Sequence, residues 1–463
     1  MNFALFATGL LILVSLFSIR FAKLFNIPLL ISFIFIGILA GSEGIGKIYF
    51  DDPLMAQNIG SIALMLIIFA GGLETSKEDV KSVFYPSITL STLGVFLTAL
   101  FSGLILYFLT DFSLRDTMLF SAIISSTDAA AVMGVLSGTK IKKKVKSLVE
   151  IESGSNDPMA YALILFLLAF FQPVPPSISS SIIFLLKQIV LGCIFGYIFG
   201  KITIPISKYL HITREELITV YLISILFLCF STASFFGANS YLAIYIAGIL
   251  IGNEKFNFKV NTLRNMRLLT WFMQIGMFIM LGLLVFPSQL ISYVIPGTLL
   301  AILLVVIVRF AVVFSLMAPF DYTWKEKVFI SWAGLKGAVP IIFATMAYTE
   351  NLTISHQIFN LTFYVVCFSV LIQGVFLKKI GTLLGVFEEE SEDDIQVSPD
   401  ELEELSIQKI ILTIDSRYTN EQIKDLSLPS SQHIISVKRN DEFLIPSGSL
   451  TLLEGDTLLI CKK

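Results

Sequence analysis

Ser125-Ser126-Thr127-Asp128-Ala129 interrupts an apolar run over residues 117–136. Three hydroxyls and a carboxylate in the middle of a stretch long enough to cross a bilayer make poor helix and worse lipid-facing surface. They suit a helix that unwinds part-way across, so that freed carbonyls and helix ends line a cavity inside the protein. A second break lies 211 residues on, where position 339 falls inside Gly334-Leu335-Lys336-Gly337-Ala338-Val339-Pro340. Two glycines and a proline interrupt that apolar run as well. The same offset relates Gly37-Ile38-Leu39-Ala40-Gly41-Ser42-Glu43 to Gly248-Ile249-Leu250-Ile251-Gly252-Asn253-Glu254, with five of seven residues matched. Seven apolar runs separate the copies, so they cross in opposite directions, which is the mark of an inverted-topology repeat. The alternatives are two ordinary kinks and a chance likeness between Gly/Ile-rich helices.

Composition excludes a soluble enzyme. Of 463 residues 55% are hydrophobic and 14% charged, against about 25% charged in soluble chains. Counting runs that can cross a bilayer gives thirteen, near 3–19, 27–41, 58–73, 84–109, 117–136, 153–171, 182–200, 217–235, 241–252, 268–286, 292–314, 327–347 and 359–377. Alternate loops carry twenty Lys and Arg, whereas the opposite loops carry only Lys47 and Arg115. That bias puts the N-terminus outside and the C-terminus in the cytoplasm, in a multi-pass protein of the inner (cytoplasmic) membrane. The first run has no basic segment before it, and Arg20 and Lys23 follow it, so it reads as an anchor and not as a signal peptide. A net charge of −3 gives no nucleic-acid signature. The four cysteines are scattered without a CxxC and the three histidines lie far apart, so they indicate packing and neither a disulfide frame, a metal centre nor a cofactor.

Charges inside apolar runs mark pathways or paired sites. They are Asp128, Asp157, Lys187, Arg309 and Lys336, with Glu74 and Glu152 near run ends; Lys187 sits near an end, can snorkel to the interface and reads as structural. Glu152, Ser153, Asn156 and Asp157 fall at helical spacings and can share a face, although Asp157 before Pro158 also reads as a helix cap at the surface. Carboxylate, hydroxyl and amide oxygens are the ligands a dehydrated alkali cation needs, and one carboxylate there can hold cation and proton in turn. Lys336 as a buried cation needs a partner, which we expect to be Glu152. Arg309 either packs a helix or faces the interior.

These residues resemble bacterial monovalent cation:proton antiporters of the NhaP type, through Thr127-Asp128, Glu152-Ser153-x-x-Asn156-Asp157 and Trp332-Ala-Gly-Leu-Lys336-Gly-Ala-Val-Pro340. The resemblance covers residues 1 to about 380. It implies an all-α polytopic membrane protein of about thirteen helices, with inverted repeats and two crossing broken helices, working as a homodimer with K⁺ or Na⁺ and H⁺ as substrates. It further implies Asp157 as the shared carboxylate, with Ser153 and Thr127 as further cation ligands. Asp128 and Asn156 would brace the crossing, Glu152 and Lys336 would form a structural ion pair, and Glu74 would line the inner approach. The family's usual Arg at position 336 is Lys here.

Beyond the last run, residues 381–404 form an acidic linker with ten Asp and Glu between Glu388 and Glu404. Residues 405–463 read as a small cytosolic α+β domain. Strands are expected at Gln408–Ser416, His433–Lys438, Ser449–Leu453 and Thr457–Cys461, with a helix-like stretch at Asn420–Ser427 and a turn at Glu454-Gly455-Asp456. This tail resembles the TrkA-C domain of potassium-transport regulators through Leu426-x-Leu428-Pro429, Ile445-Pro446-x-Gly448 and Leu453-x-Gly455-Asp456-x-Leu458. That resemblance implies a regulatory ligand such as a cyclic dinucleotide, and favours K⁺ over Na⁺. An ion channel would need a filter loop, a proton-coupled solute transporter would need larger recognition groups, and an enzyme would need a catalytic motif; none of these is present in the sequence.

Overall fold

The structure is a computed structural model that describes residues 2–25, 28–136, 139–212, 214–350, 352–388, 406–412, 418–426, 432–439 and 442–462. It divides into two units, Met1–Glu388 and Glu389–Lys463. The acidic stretch expected as a linker lies, from Glu389 to Leu405, outside the described residues.

The first unit is helical. Its elements are α1 (Asn2–Phe25), α2 (Leu29–Ala40), α3 (Pro53–Glu74), α4 (Lys77–Leu109), α5 (Leu114–Ile123), α6 (Ala129–Val135), α7 (Lys143–Phe171), α8 (Ile178–Tyr209), α9 (Glu215–Phe235), α10 (Ser240–Gly252), α11 (Lys259–Leu283), α12 (Pro287–Leu316), α13 (Trp324–Trp332), α14 (Ala338–Thr349) and α15 (Ser355–Leu384). Eight of them (α3, α4, α7, α8, α9, α11, α12 and α15) are long and apolar enough to cross a membrane.

Both expected breaks are present. α5 opens on a capping box between Ser113 and Asp116, runs to Ile123, and resumes as α6 after Asp128. α13 opens on a capping box between Thr323 and Glu326, and resumes as α14 after Gly337. Each box satisfies orphan amides at a helix start. Pro340 sits in the first turn of α14, where its missing N–H costs nothing. Three helices contain a wider π-helical turn, at Leu90–Gly94 in α4, Leu303–Val308 in α12 and Ser369–Gly374 in α15. Such a turn inserts one residue and rotates the face that follows.

Glycines let four helices meet at their backbones. Where α2 crosses α11, a Cβ on Gly37 would stand 2.9 Å from the Gly282 Cα. Where α3 crosses α10, a Cβ on Gly248 would stand 2.7 Å from the Phe69 carbonyl and 3.2 Å from the Gly72 Cα. The far end of the unit returns to its middle. Lys142 N donates to Val386 O (3.1 Å) and Glu388 N donates to Lys140 O (2.8 Å), pairing Ile141 with Phe387 just ahead of α7.

The second unit is a four-stranded antiparallel sheet in the order β1-β4-β2-β3, from β1 (Ser406–Ile411), β2 (Gln432–Arg439), β3 (Glu442–Leu444) and β4 (Thr457–Lys462). Leu412, Val437, Leu452, Leu458 and Ile460 make its core. Arg439 donates from Nε (2.8 Å) and Nη2 (2.7 Å) to the buried Asp456 carboxylate, and from Nη2 to Thr451 O. Two expectations are corrected. Of the helix-like stretch at Asn420–Ser427, the described residues 420–426 hold a 3-10 turn at Ile423–Asp425 and no α-helix. Ser449–Leu453 contributes a single bridge, Thr451 to Gln422, and no strand. A further short strand, Glu442–Leu444, pairs with β2. The Glu454-Gly455-Asp456 turn is present, with Gly455 left-handed at φ 84. Residues 413–417 and 427–431, which include Leu428 and Pro429, lie outside the described residues.

Candidate functional site

The two breaks meet. Asp128 N donates to Leu335 O (2.8 Å), joining the unwound segments. The Asp128 carboxylate accepts from Ala131 N (3.0 Å) as the cap of α6, and it also lies where a Cβ on Gly337 would have to go. One carboxylate therefore faces the N-termini of both α6 and α14, where the helix dipole favours negative charge. Lys336 supplies the opposite charge: its Nζ donates to the Ser125 (3.2 Å) and Ser126 (3.0 Å) carbonyls left free beyond α5. Ser369, in the widened turn of α15, accepts from Lys336 N (3.0 Å). Gln373 Nε2 donates to Trp332 O (3.1 Å), covering the end of α13.

α7 runs alongside the first break. It starts ten residues earlier than the apolar run suggested, because Lys143–Val149 continue the helix below the apolar part. Asp157 is therefore in mid-helix, and its reading as a surface cap is corrected: it is 7% exposed. Ser153 Oγ donates to Thr127 O (2.8 Å) and accepts from Ala129 N (2.7 Å), fastening α7 to the unwound segment. Asn156 Nδ2 donates to Thr127 Oγ1 (2.5 Å). Asp157 Oδ1, Asn156 Oδ1 and Ser126 Oγ, all buried, have no hydrogen-bond partner. Ser126 adjoins the Asp157 carboxylate. Buried polar atoms nearly always find a partner, so three orphan oxygens at one place mark a site for something polar. Thr127 O and Ser153 Oγ each keep a lone pair beyond these bonds. Toward α10 the site is bounded by Tyr161, which meets Tyr241 edge-on with centroids 4.9 Å apart and Phe343 at 5.9 Å.

The structure corrects the expected pairing of Glu152 with Lys336. Glu152 instead accepts from Arg309 Nη2 at both oxygens (3.0 and 3.1 Å). Both side chains are almost wholly buried, and the Arg309 Nε abuts Gly334 in the second break, where a Cβ would stand 2.8 Å away. The guanidinium that position 336 lacks thus comes from α12. The sequence does carry a signal for it, since a charge inside an apolar run needs a partner, but its facing depends on the widened turn at Leu303–Val308 just before it. Glu74 stands apart from Asp157 at the end of α3, where it accepts from Arg267 Nε (3.0 Å). Among the described residues no three His, Cys, Asp or Glu converge as a metal centre. The arrangement is a small-oxygen cluster around one carboxylate, suited to a hard monovalent cation or a proton.

Comparison with known proteins identifies the family and the fold. Residues 10–382 match the family described as sodium/hydrogen exchanger, transmembrane, and residues 407–462 match the TrkA-C domain. The chain is 33% identical to the K(+)/H(+) antiporter NhaP of Alkalimonas amylolytica, covering 100% of this chain and 81% of the relative. It is 34% identical to the K(+)/H(+) antiporter NhaP2 of Shewanella baltica, over 98% and 79% respectively. Its fold is similar to that of the sodium proton antiporter MjNhaP1 from Methanocaldococcus jannaschii, with a TM-score of 0.72 and 23% identity over 83% of this chain and 99% of that one.

Proposed function

The chain belongs to the sodium/hydrogen exchanger family, and on that premise we propose that it exchanges an alkali cation, K⁺ in preference to Na⁺, for H⁺ by alternating access at Asp157. The observation that carries the reading is the buried Asp157 carboxylate, with an unpartnered oxygen, beside two further unpartnered oxygens at the meeting of two broken helices. K⁺ over Na⁺ is favoured by the relatives named K(+)/H(+) antiporters that match nearly the whole chain. Cation and proton compete for one carboxylate, and the unloaded, charged carboxylate is the form that cannot reorient through an apolar barrier. The formal charges around the crossing support one-for-one, electroneutral exchange. Asp128, Glu152 and Asp157 carry three negative charges against two positive ones on Arg309 and Lys336, so one bound monovalent cation or proton brings the cluster to zero.

The finer architecture belongs to the same proposal: thirteen crossings in a homodimer of the inner membrane, N-terminus outside, C-terminus in the cytoplasm. Supporting the inverted repeat, the capping boxes at Ser113 and Thr323, the widened turns at Leu90 and Leu303, and the crossing glycines Gly37 and Gly248 recur at offsets of 210 to 213. Supporting the orientation is the twenty-to-two loop charge bias. Residues 1–380 carry transport, 381–404 link, and 405–463 regulate it, with a nucleotide such as a cyclic dinucleotide as ligand. The pairing of Lys140–Lys142 with Val386–Glu388 supports regulation, because the chain leading to the tail is hydrogen-bonded to the loop before α7.

The test is exchange by purified protein in liposomes with an internal pH dye and each alkali salt added in turn. The unaltered protein should move protons against K⁺ without needing a charge-compensating ionophore. Asp157→Asn should insert at normal levels and lose exchange entirely. Full exchange by that variant refutes the proposal.

A further inference from the structure

Tyr245 is 4% exposed on α10, and its hydroxyl oxygen has no hydrogen-bond partner. A buried phenol without a partner is costly unless something else supplies one. The hydroxyl end of the ring lies against α7 at Gly154, where a Cβ would stand 2.7 Å from the ring and 2.8 Å from the hydroxyl. Gly154 is three residues before Asp157 and four after Glu150, so the phenol covers α7 between the two carboxylates. Both act on it electrostatically, and the Ser155 and Thr75 hydroxyls adjoin it without closing a hydrogen bond. The Glu150 side chain is 42% exposed, whereas Asp157 is 7% exposed. Seven helical residues separate them, about 10 Å. Glu150 also lies within electrostatic reach of Glu74 and Asp79, and each of the three carboxylates has a basic partner, Lys146, Arg267 and Lys143 respectively, with which an arriving cation must compete.

A cation leaving solvent at Glu150 must shed water before it reaches Asp157. A step of that length with no oxygen to replace the lost water would be slow. We infer that the Tyr245 hydroxyl, with Ser155, Thr75 and Glu150, forms a second resting place for a partly dehydrated alkali cation, one step before Asp157. The inference rests on the antiport reading. Gly154 follows from it, because any side chain there would push the phenol off this path.

Tyr245→Phe tests it, since the ring and its packing stay while the one oxygen goes. Full-length protein in liposomes would be titrated with KCl and with NaCl at fixed pH, and its thermal unfolding compared with the unaltered protein. The apparent KM for K⁺ should rise about three- to tenfold, the scale of one lost ligand contact, with the maximal rate within twofold and stability unchanged. Ser155→Ala should shift KM the same way and serves if Tyr245→Phe does not fold. An unmoved KM in both variants, or a lower maximal rate at constant KM, overturns the resting place and leaves antiport standing. No exchange by the unaltered protein sinks the antiport reading, and this one with it.

Discussion

Replacing Glu152 by Gln isolates what the buried ion pair does. Glu152 is 2% and Arg309 5% exposed, and both Glu152 oxygens take the same Arg309 nitrogen. The Arg309 Nε has no hydrogen-bond partner, so a neutral amide at 152 would leave the buried guanidinium without the one carboxylate it contacts among the described residues. Removing one member of such a pair costs about 3–5 kcal/mol, while replacing both by apolar groups of similar size is nearly neutral. Glu152→Gln and Arg309→Met should therefore each destabilise strongly, and the double variant should recover most of the loss, a coupling of about 3 kcal/mol. The same cycle with Lys336→Met should couple by less than about 1 kcal/mol, because Lys336 Nζ holds the Ser125 and Ser126 carbonyls and not Glu152. Reversible unfolding in mixed micelles, titrated with a denaturing detergent, measures all of these. A larger coupling to 336 than to 309 would refute the assignment.

Gly248→Ala should destabilise by about 1–3 kcal/mol, since its Cβ meets the Phe69 carbonyl at 2.7 Å; Gly71→Ala, with nothing within 4 Å, is the control that should not. A chain ending after Glu388 should still exchange ions with an altered activation profile, read in the same liposomes; loss of exchange in well-inserted protein would give the tail a direct part in transport. Within the tail, hydrogen bonds from Arg439 hold the Asp456 carboxyl below its ordinary value. A lowered folded-state pKa stabilises above the unfolded value, about 3.9, and that stability is lost as pH falls through the depressed one. Amide exchange along Thr457–Lys462 in the full chain should thus stay slow at neutral pH and accelerate only below about pH 4. Arg439→Met should bring that acceleration to neutral pH.

Much of the site is legible in the sequence, because its residues must break helices. Ser125–Asp128 and Gly334–Gly337 announce themselves by putting hydroxyls and glycines where a lipid-facing helix has no use for them. The structure sets Thr127 against Ser153 and Asn156, all named from the sequence. The ion pair is not legible in the same way. Lys336 stands inside a motif and attracts a partner on paper, whereas Arg309 sits in a featureless apolar run where a π-helical turn decides which way it faces. Asp157 beside Pro158 imitates a helix start, and only the continuation of α7 through Lys143–Val149 shows otherwise. Tyr245 carries no local signal at all, since a tyrosine in an apolar helix looks like packing until its hydroxyl is found unpaired. In the tail, Ser449–Leu453 alternates as a strand should, yet its amides and carbonyls go to Asn420, Glu421 and Ile423 and form no ladder.

The glycine crossings bear on which surfaces of the bundle can slide. At Gly37 with Gly282, and at Gly72 with Gly248, backbone meets backbone like a lap joint, with no side chain between to change rotamer. A joint of this kind has no compliance: to shear, it must first open, and opening forfeits every contact at once. Within each pair, α2 with α11 and α3 with α10, the close backbone contact therefore resists sliding. α3 meets α14 differently: it carries buried Ala56, Gly60 and Ala63 at helical spacing, and at Gly60 an added Cβ would stand 3.0 Å from the flexible Ile342 side chain and not against backbone. Small residues there make a nearly smooth track, over which a branched aliphatic side chain can step from one shallow hollow to the next. By this geometry sliding is easier along that seam than at the lap joints, and a side chain added at Gly60 would roughen it by meeting Ile342.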